Sequence, residues 1–157
     1  MRRALVTGGS RGIGLAIARR LAQDGHEVTV TYAHDGAAAE AAAQAAREDG
    51  LPIYAAACDA ADLTAWQALM RRDDAADPAA KDFAVLVHAA GFTRDRLLMS
   101  MSATDFDDVI GVHLRGAFLS TQAVLRGMIA GRQGRIIFLG SPTAVLGRRG
   151  QTNYGAA

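Results

Sequence analysis

The chain has 157 residues, 50% of them hydrophobic and 21% charged, and its 17 Lys and Arg nearly cancel 16 Asp and Glu to leave a net charge of +1. Those values describe one ordinary globular domain and exclude a polyanion-seeking surface, so neither nucleic acid nor an anionic membrane is an expected partner. The single Cys58 excludes an internal disulfide and a thiolate metal cluster; it lies in an apolar run and reads as a small hydrophobe in a reducing cytoplasm, with no metal site expected.

The start, MRRALVTGGS, offers only Ala4, Leu5 and Val6 before polar residues and glycines. A secretory signal needs a core of roughly 7–15 apolar residues, so no exported or membrane-spanning segment is expected. Residues 3–7 (RALVT) are a short, partly β-branched apolar run ending in glycines, which predicts a buried strand. A helix follows, with Ile13, Ala16, Ile17 and Leu21 at helical spacing. Residues 27–31 (EVTVT) predict a second strand, and the alanine-rich 37–49 a second helix closed by Gly50 as a C-terminal cap.

Residues 52–57 (PIYAAA) predict a third strand, and 62 to about 72 a third helix with Leu63, Trp66, Leu69 and Met70 on one face. The polar, alanine-rich 73–82 (DDAADPAAKD) reads as a helix end plus loop. Residues 83–87 (FAVLV) give a fourth strand, 105–130 a long and mostly helical segment, and 135–140 (RIIFLG) a fifth, unbroken apolar strand. Strands apolar on both faces that alternate with helices predict an α/β fold: a Rossmann-like, doubly wound parallel sheet with helices on both faces. No repeat, linker or internal boundary divides the chain, so residues 1–157 read as a single domain.

The turn TGGSRGIG (7–14) puts Gly8, Gly12 and Gly14 between the first strand and the first helix. There the backbone must approach a diphosphate closely while helix N-terminal amides point at the anion. A side chain at Gly12 or Gly14 would obstruct that approach or the helix packing. The spacing, G-x-x-x-G-x-G, departs from the dinucleotide fingerprint G-x-G-x-x-G, and the glycines alone would also suit a plain tight turn. With a strand before and a helix after, Gly8, Ser10, Arg11, Gly12, Ile13 and Gly14 become candidate cofactor contacts. An acid at the end of the second strand would select NAD, a basic residue NADP. TVTYAHD (29–35) has no acid at the strand end, and His34 and Arg11 are nearby, so NADP(H) is favoured; Asp35 keeps NAD(H) open, and simple solvation of Arg11 and His34 is the competing reading.

Several segments together resemble the short-chain dehydrogenase/reductase family: TGGSRGIG its cofactor turn, CDAAD (58–62) its Asp after the third strand, HAAG (88–91) its Asn-Asn-Ala-Gly, and Ser141 with Tyr154 its catalytic pair. AGFTRDRLLMSM (90–101), DFDDVIGVHLRGAF (105–118) and GRIIFLGS (134–141) look most like the bacterial 3-oxoacyl-(acyl-carrier-protein) reductases within it, although related ketoreductases and hydroxyacyl dehydrogenases share much of the pattern.

The resemblance implies that Asp59 hydrogen-bonds adenine and that Ala89, Ala90 and Gly91 contact the ribose side of the cofactor. It implies that Ser141 anchors the substrate carbonyl and that Tyr154 protonates its oxygen. Arg132 matches a position that meets an acidic acyl carrier protein. Taken singly, Asp59 also reads as a turn carboxylate, Ser141 as a cap, Tyr154 as packing and Arg132 as solvated. Two departures stand out: His113, in VHLRG, replaces an Asn of the family's long helix and is kept as a catalytic candidate, and His88 replaces the first Asn of the ribose-side motif. A neutral imidazole both donates and accepts hydrogen bonds.

The family pattern ends Tyr-x-x-x-Lys, and YGAA supplies Tyr and three residues. A phenol titrates near pH ~10, and a neighbouring ammonium favours the phenolate. The expectation is therefore a C-terminally incomplete piece of a longer reductase, weakened without that Lys. The resemblance implies that the complete protein has seven parallel strands ordered 3-2-1-4-5-6-7, is a homo-oligomer (tetramer or dimer), and takes an acyl thioester on acyl carrier protein. The alternative from a different class is a non-catalytic NADP-binding or assembly module.

Overall fold

The computed structural model describes residues 2–71 and 83–157. The predicted connector 73–82 and the last residue of the predicted third helix lie outside the described residues. Five parallel strands form one sheet: β1 (Arg2–Thr7), β2 (His26–Tyr32), β3 (Ile53–Ala57), β4 (Phe83–His88) and β5 (Arg135–Phe138), in the order β3-β2-β1-β4-β5. The helices are α1 (Gly12–Gln23), α2 (Gly36–Glu48), α3 (Leu63–Arg71), α4 (Ala103–Ile110), α5 (Gly116–Ala130), α6 (Thr143–Leu146) and α7 (Thr152–Ala156).

Alternation along β1 explains why the sheet is covered twice. Ala4 and Val6 pack with Ala18 and Ala22 of α1 and Ala43 and Ala46 of α2, whereas Leu5 packs with Trp66 of α3 and Leu119, Val124 and Met128 of α5. Successive side chains of a strand face opposite sides, so one apolar run feeds two cores. β1 is central, with β2 on one side and β4 on the other. The chain order reverses there, which opens a crevice beyond the strands' carboxyl ends, where such sheets bind ligands.

The first helix differs from its expectation. Gly14, Ala18 and Ala22 are its buried face, Ile17 and Leu21 flank it, and Ile13 is 71% exposed. Small residues at four-residue spacing bring α1 close to the sheet, and that spacing turns Ile13 outward. The second helix closes as expected: Gly50, at φ +79°, follows the cap residue, donating to Arg47 C=O while Leu51 N–H donates to Ala46 C=O.

The long helix expected over 105–130 is three pieces. α4 starts from a reciprocal cap, in which Ser102 Oγ accepts from Asp105 N–H and the Asp105 carboxylate accepts from Ser102 N–H. A π-helical turn, Gly111–Arg115, then inserts the bulge that carries His113, and α5 follows. β5 stops at Phe138, two residues short of expectation, and forms the sheet's edge with Ile137 and Phe138 about half exposed.

Candidate active site

The first of two adjoining clefts lies over the carboxyl ends of β1–β4 and holds about 390 Å³. Its walls include Gly8, Ser10 and Arg11 after β1, His34 and Asp35 after β2, Asp59 after β3, and Ala89, Ala90 and Gly91 after β4. Gly12, Ile13 and Gly14 are not in its walls. Gly14 is buried beneath the turn, where a Cβ would strike the Gly8 carbonyl oxygen. Gly8 adopts φ +62° and passes so close to β4 that a Cβ would sit 2.7 Å from Ala90 Cα. Gly9, which the sequence reading did not single out, is equally constrained: its Cβ would lie 2.6 Å from the Val30 side chain.

The cleft has the features a dinucleotide requires. The N-terminus of α1 has no side-chain cap and no acid in its first turn, so its amides face outward as anion donors, and the space beyond Gly12 is open to 4 Å. Asp35 caps α2, accepting from Ala38 N–H at 3.0 Å, which ties one of its oxygens to the helix. Arg11 and His34 are both exposed at the cleft. Asp59 accepts from Ala61 N–H at 2.9 Å, so the turn role holds while the residue also lines the cleft.

A buried polar knot ties β1 to β4 beneath this cleft. Thr7 Oγ1 accepts from the N–H groups of Ala89 (3.1 Å) and Ala90 (3.0 Å), which leaves its own proton to donate to His88 Nδ1 at 3.0 Å. That fixes the imidazole with its proton on Nε2, which donates to the Val112 carbonyl in the π-helical turn at 3.2 Å. Burial pushes the His88 imidazole down to about 4, and it stays neutral at pH 7. Burial also pushes the Cys58 thiol, on the cleft wall, up to about 12, which keeps it inert.

The second cleft, about 460 Å³, brings Ser141, Tyr154 and His113 together against apolar walls from Leu114, Phe118, Phe138 and Leu139. Val112 lines the first cleft and the next residue, His113, the second. Ser141 follows β5; its Oγ accepts from Thr143 N–H at 3.2 Å in the turn ahead of α6, and the residue lines the cleft. The Tyr154 ring stands on the His113 ring edge to face, with centroids 5.3 Å apart. His113 Nε2 lies 3.1 Å from the Phe92 amide nitrogen and 2.9 Å from its carbonyl oxygen. The imidazole is therefore a strap on the backbone after β4 as well as a cleft wall, a partnership 21 residues away that the motif did not signal.

Arg132 stands apart from both clefts. It ends α5 at φ +50° and lines a separate groove with Leu125, Ile129 and Ile136. Arg132 N–H donates to Ile129 C=O and Gln133 N–H to Met128 C=O, a helix-ending pattern in which glycine ordinarily holds the left-handed position. Thr7, Gln151 and Asn153 are polar, buried and in contact with site residues, yet escaped the sequence reading. The only local signal was two amide side chains in QTNY, directly ahead of Tyr154.

A scan against protein-family models matches the short chain dehydrogenase family over residues 2–157. The chain is 40% identical over 151 residues to the 3-oxoacyl-[acyl-carrier-protein] reductase FabG of Staphylococcus aureus, covering 96% of this chain and 60% of that protein. It is 41% identical over 157 residues to the 3-oxoacyl-[acyl-carrier-protein] reductase MabA of Mycobacterium avium, covering 99% and 55%. MabA of Mycobacterium tuberculosis is 39% identical over 158 residues, covering 99% and 57%. The chain thus spans a little over half the length of these curated relatives. With a family match along almost its entire length, on a five-stranded sheet of matching order, the chain belongs to the short-chain dehydrogenase family.

Proposed function

We propose that the complete protein reduces a 3-oxoacyl thioester, presented on acyl carrier protein, to the 3-hydroxyacyl form with NADPH, and that residues 1–157 are the greater part of its single dinucleotide-binding domain. The observation that carries this reading is a pair of clefts lined by the consecutive residues Val112 and His113, one walled by the glycine turn and the other by Ser141 and Tyr154. The cofactor, when bound, supplies hydride to the substrate's carbonyl carbon. Everything else falls to the chain's own groups.

The outward amides after Gly8 hold the diphosphate, with Gly12, Ile13 and Gly14 opening the helix beneath it. Asp59 meets the adenine side, and Ala89 to Gly91 the ribose side. Arg11 and His34 favour NADP(H) over NAD(H), a preference helped by the helix-capping duty of Asp35. The Ser141 hydroxyl donates to the carbonyl oxygen as negative charge develops there, and the Tyr154 phenol transfers its proton to the same oxygen, completing the alcohol. His113 assists by holding Phe92 and bracing the Tyr154 ring. Leu114, Phe118, Phe138 and Leu139 offer apolar surface to the acyl chain.

Arg132 holds a left-handed backbone position that costs an L residue about 1–2 kcal/mol, which supports a role for its charge toward an acidic carrier. The exposed apolar face of α5, with Phe118 and Ile129, supports a homo-oligomer. A cytoplasmic location suits the chemistry; among the described residues no helix is long and apolar enough to cross a membrane.

The test is oxidation of NADPH by the full-length gene product with a 3-oxoacyl thioester, followed by absorbance, beside an NADPH binding titration. Turnover that requires Tyr154 supports the reading. Binding without turnover would replace it with a non-catalytic NADP-binding module.

A further inference from the structure

Asn153 and Gln151 are the polar side chains that tie the helix of Tyr154 to the rest of the site, and nothing in the reaction above uses them. Asn153 is fully buried, at 0% exposure. Its Nδ2 donates to two carbonyls from distant stretches of chain, Arg94 at 3.0 Å and Asp105 at 2.9 Å, and its Oδ1 accepts from Tyr154 N–H at 2.8 Å. Two donors and one acceptor are thereby filled, leaving this amide little freedom to turn.

Gln151 is also buried. Its Nε2 donates to both oxygens of the exposed Asp95 carboxylate, at 3.1 and 2.9 Å, and its Oε1 accepts from the Thr143 hydroxyl at 3.3 Å. Thr143 in turn donates its N–H to Ser141 Oγ. The backbone joins in: Arg96 N–H donates to Gly150 C=O at 2.8 Å, and Arg96 bridges Gln151.

These contacts form a closed circuit. Asn153 grips the Arg94 carbonyl, the Arg94 guanidinium lies 5.5 Å above the Phe92 ring, the Phe92 backbone meets His113 Nε2, and the His113 ring meets Tyr154, the residue after Asn153. The segment is anchored from below, because Arg94 also pairs with Asp105 (3.7 Å) and Asp108 (3.4 Å) of α4. Residues 92–96 are therefore a common frame to which both hydroxyl-bearing residues are fastened.

We infer that Asn153 and Gln151 are positioning residues: by fastening α7 and the start of α6 to residues 92–96, they set where the Tyr154 phenol and the Ser141 hydroxyl stand relative to each other. Both side chains are buried and hydrogen-bonded across the fold, so they hold these two segments in one geometry. Loss of the clamp frees the phenol by an ångström or so, and displacement on that scale costs about 10²-fold in rate.

The kinetic arm rests on the reductase reading; an exchange arm does not. In the full-length protein, Asn153→Ala is expected to lower kcat about 100-fold while the thioester KM and the NADPH Kd stay within about twofold. Asn153→Asp sets a carboxyl against two carbonyl oxygens, so only its protonated form restores a donor; its kcat is expected to recover toward wild type as pH falls, and that of Asn153→Ala is not. Should Asn153→Ala fail to fold, Asp95→Ala at the exposed end of the clamp is expected to lower kcat about fivefold with the same unchanged KM. A folded Asn153→Ala with kcat within twofold of wild type, or with KM and kcat lost together, overturns the inference. If the wild type reduces no thioester, the reductase reading fails by itself. Amide exchange then decides: the clamp requires Asn153→Ala to accelerate exchange over 92–96 and 154–157 together by about tenfold while β1 and β2 stay protected, and unchanged exchange there overturns it.

Discussion

The two halves of this molecule are held by different forces. Around the first cleft, Val6, Val28, Val30 and Val87 sit at 1% exposure or less between two helices, and the turn that follows β1 is fixed by backbone approach at Gly8, Gly9 and Gly14. Around the second, amide side chains reach across 48–59 residues of chain to hold the segments that carry Ser141 and Tyr154. Apolar packing is non-directional, whereas a buried amide is satisfied only over a narrow range of geometry. The first cleft is accordingly a product of the core, and the placement of Ser141 and Tyr154 a product of specific hydrogen bonds.

The sharpest break in that comparison is functional. Tyr154→Phe removes the proposed proton donor without touching the core, and kcat of the full-length protein is expected to fall by about 10²–10⁴-fold while the thermal unfolding midpoint stays put. A coincident loss of stability would mean that the phenol serves packing. The converse substitution is Leu86→Ala, which empties a fully buried site in β4 and is expected to cost about 2–5 kcal/mol in denaturant unfolding. Asp95→Ala, at the exposed end of the hydrogen bonds from Gln151, is expected to cost about 1 kcal/mol or less. Equal costs at the two sites would erase the distinction between the halves.

The His88 knot joins them and titrates. Its folded value, pushed by burial to about 4, lies below the ~6.5 of an exposed imidazole, so the unfolded chain binds more protons between those values. Stability is therefore unaffected by this group above pH ~6.5 and is lost as pH falls toward 4, by about 3 kcal/mol at most. Denaturant unfolding across that window is expected to show the loss, and His88→Asn to flatten it.

The smallest effect is at Arg132. Replacing it with Gly relieves the left-handed backbone and is expected to raise stability by about 0.5–1 kcal/mol, net of the added freedom of the unfolded chain. KM for a carrier-linked substrate is expected to rise, and KM for a free thioester to stay unchanged.

Legibility in the sequence followed the same divide. The five strands, the glycine turn and the Gly50 cap are local patterns, carried by consecutive apolar residues or by one residue type at one position, and they appeared where expected. Ile13 misled because helical spacing alone does not say which of two adjacent stripes faces the sheet; the small stripe Gly14, Ala18, Ala22 took that place. The π-helical turn at His113 left no mark in the apolar period of 105–130, since its partners at Val112 and Phe92 lie across the fold. Asn153 and Gln151 stood beside a recognised Tyr, but the carbonyls and carboxylate that give them meaning are dozens of residues upstream.

Under the proposed function, a dinucleotide seated on the turn after β1 faces the hydroxyls of Ser141 and Tyr154. A crystal structure of the full-length protein with NADP and a 3-oxoacyl thioester analogue tests it most directly. The account predicts diphosphate oxygens on the amides between Gly8 and Gly14 and both hydroxyls within hydrogen-bond reach of the analogue's carbonyl oxygen. A cofactor bound elsewhere, or either hydroxyl turned from that oxygen, would contradict it.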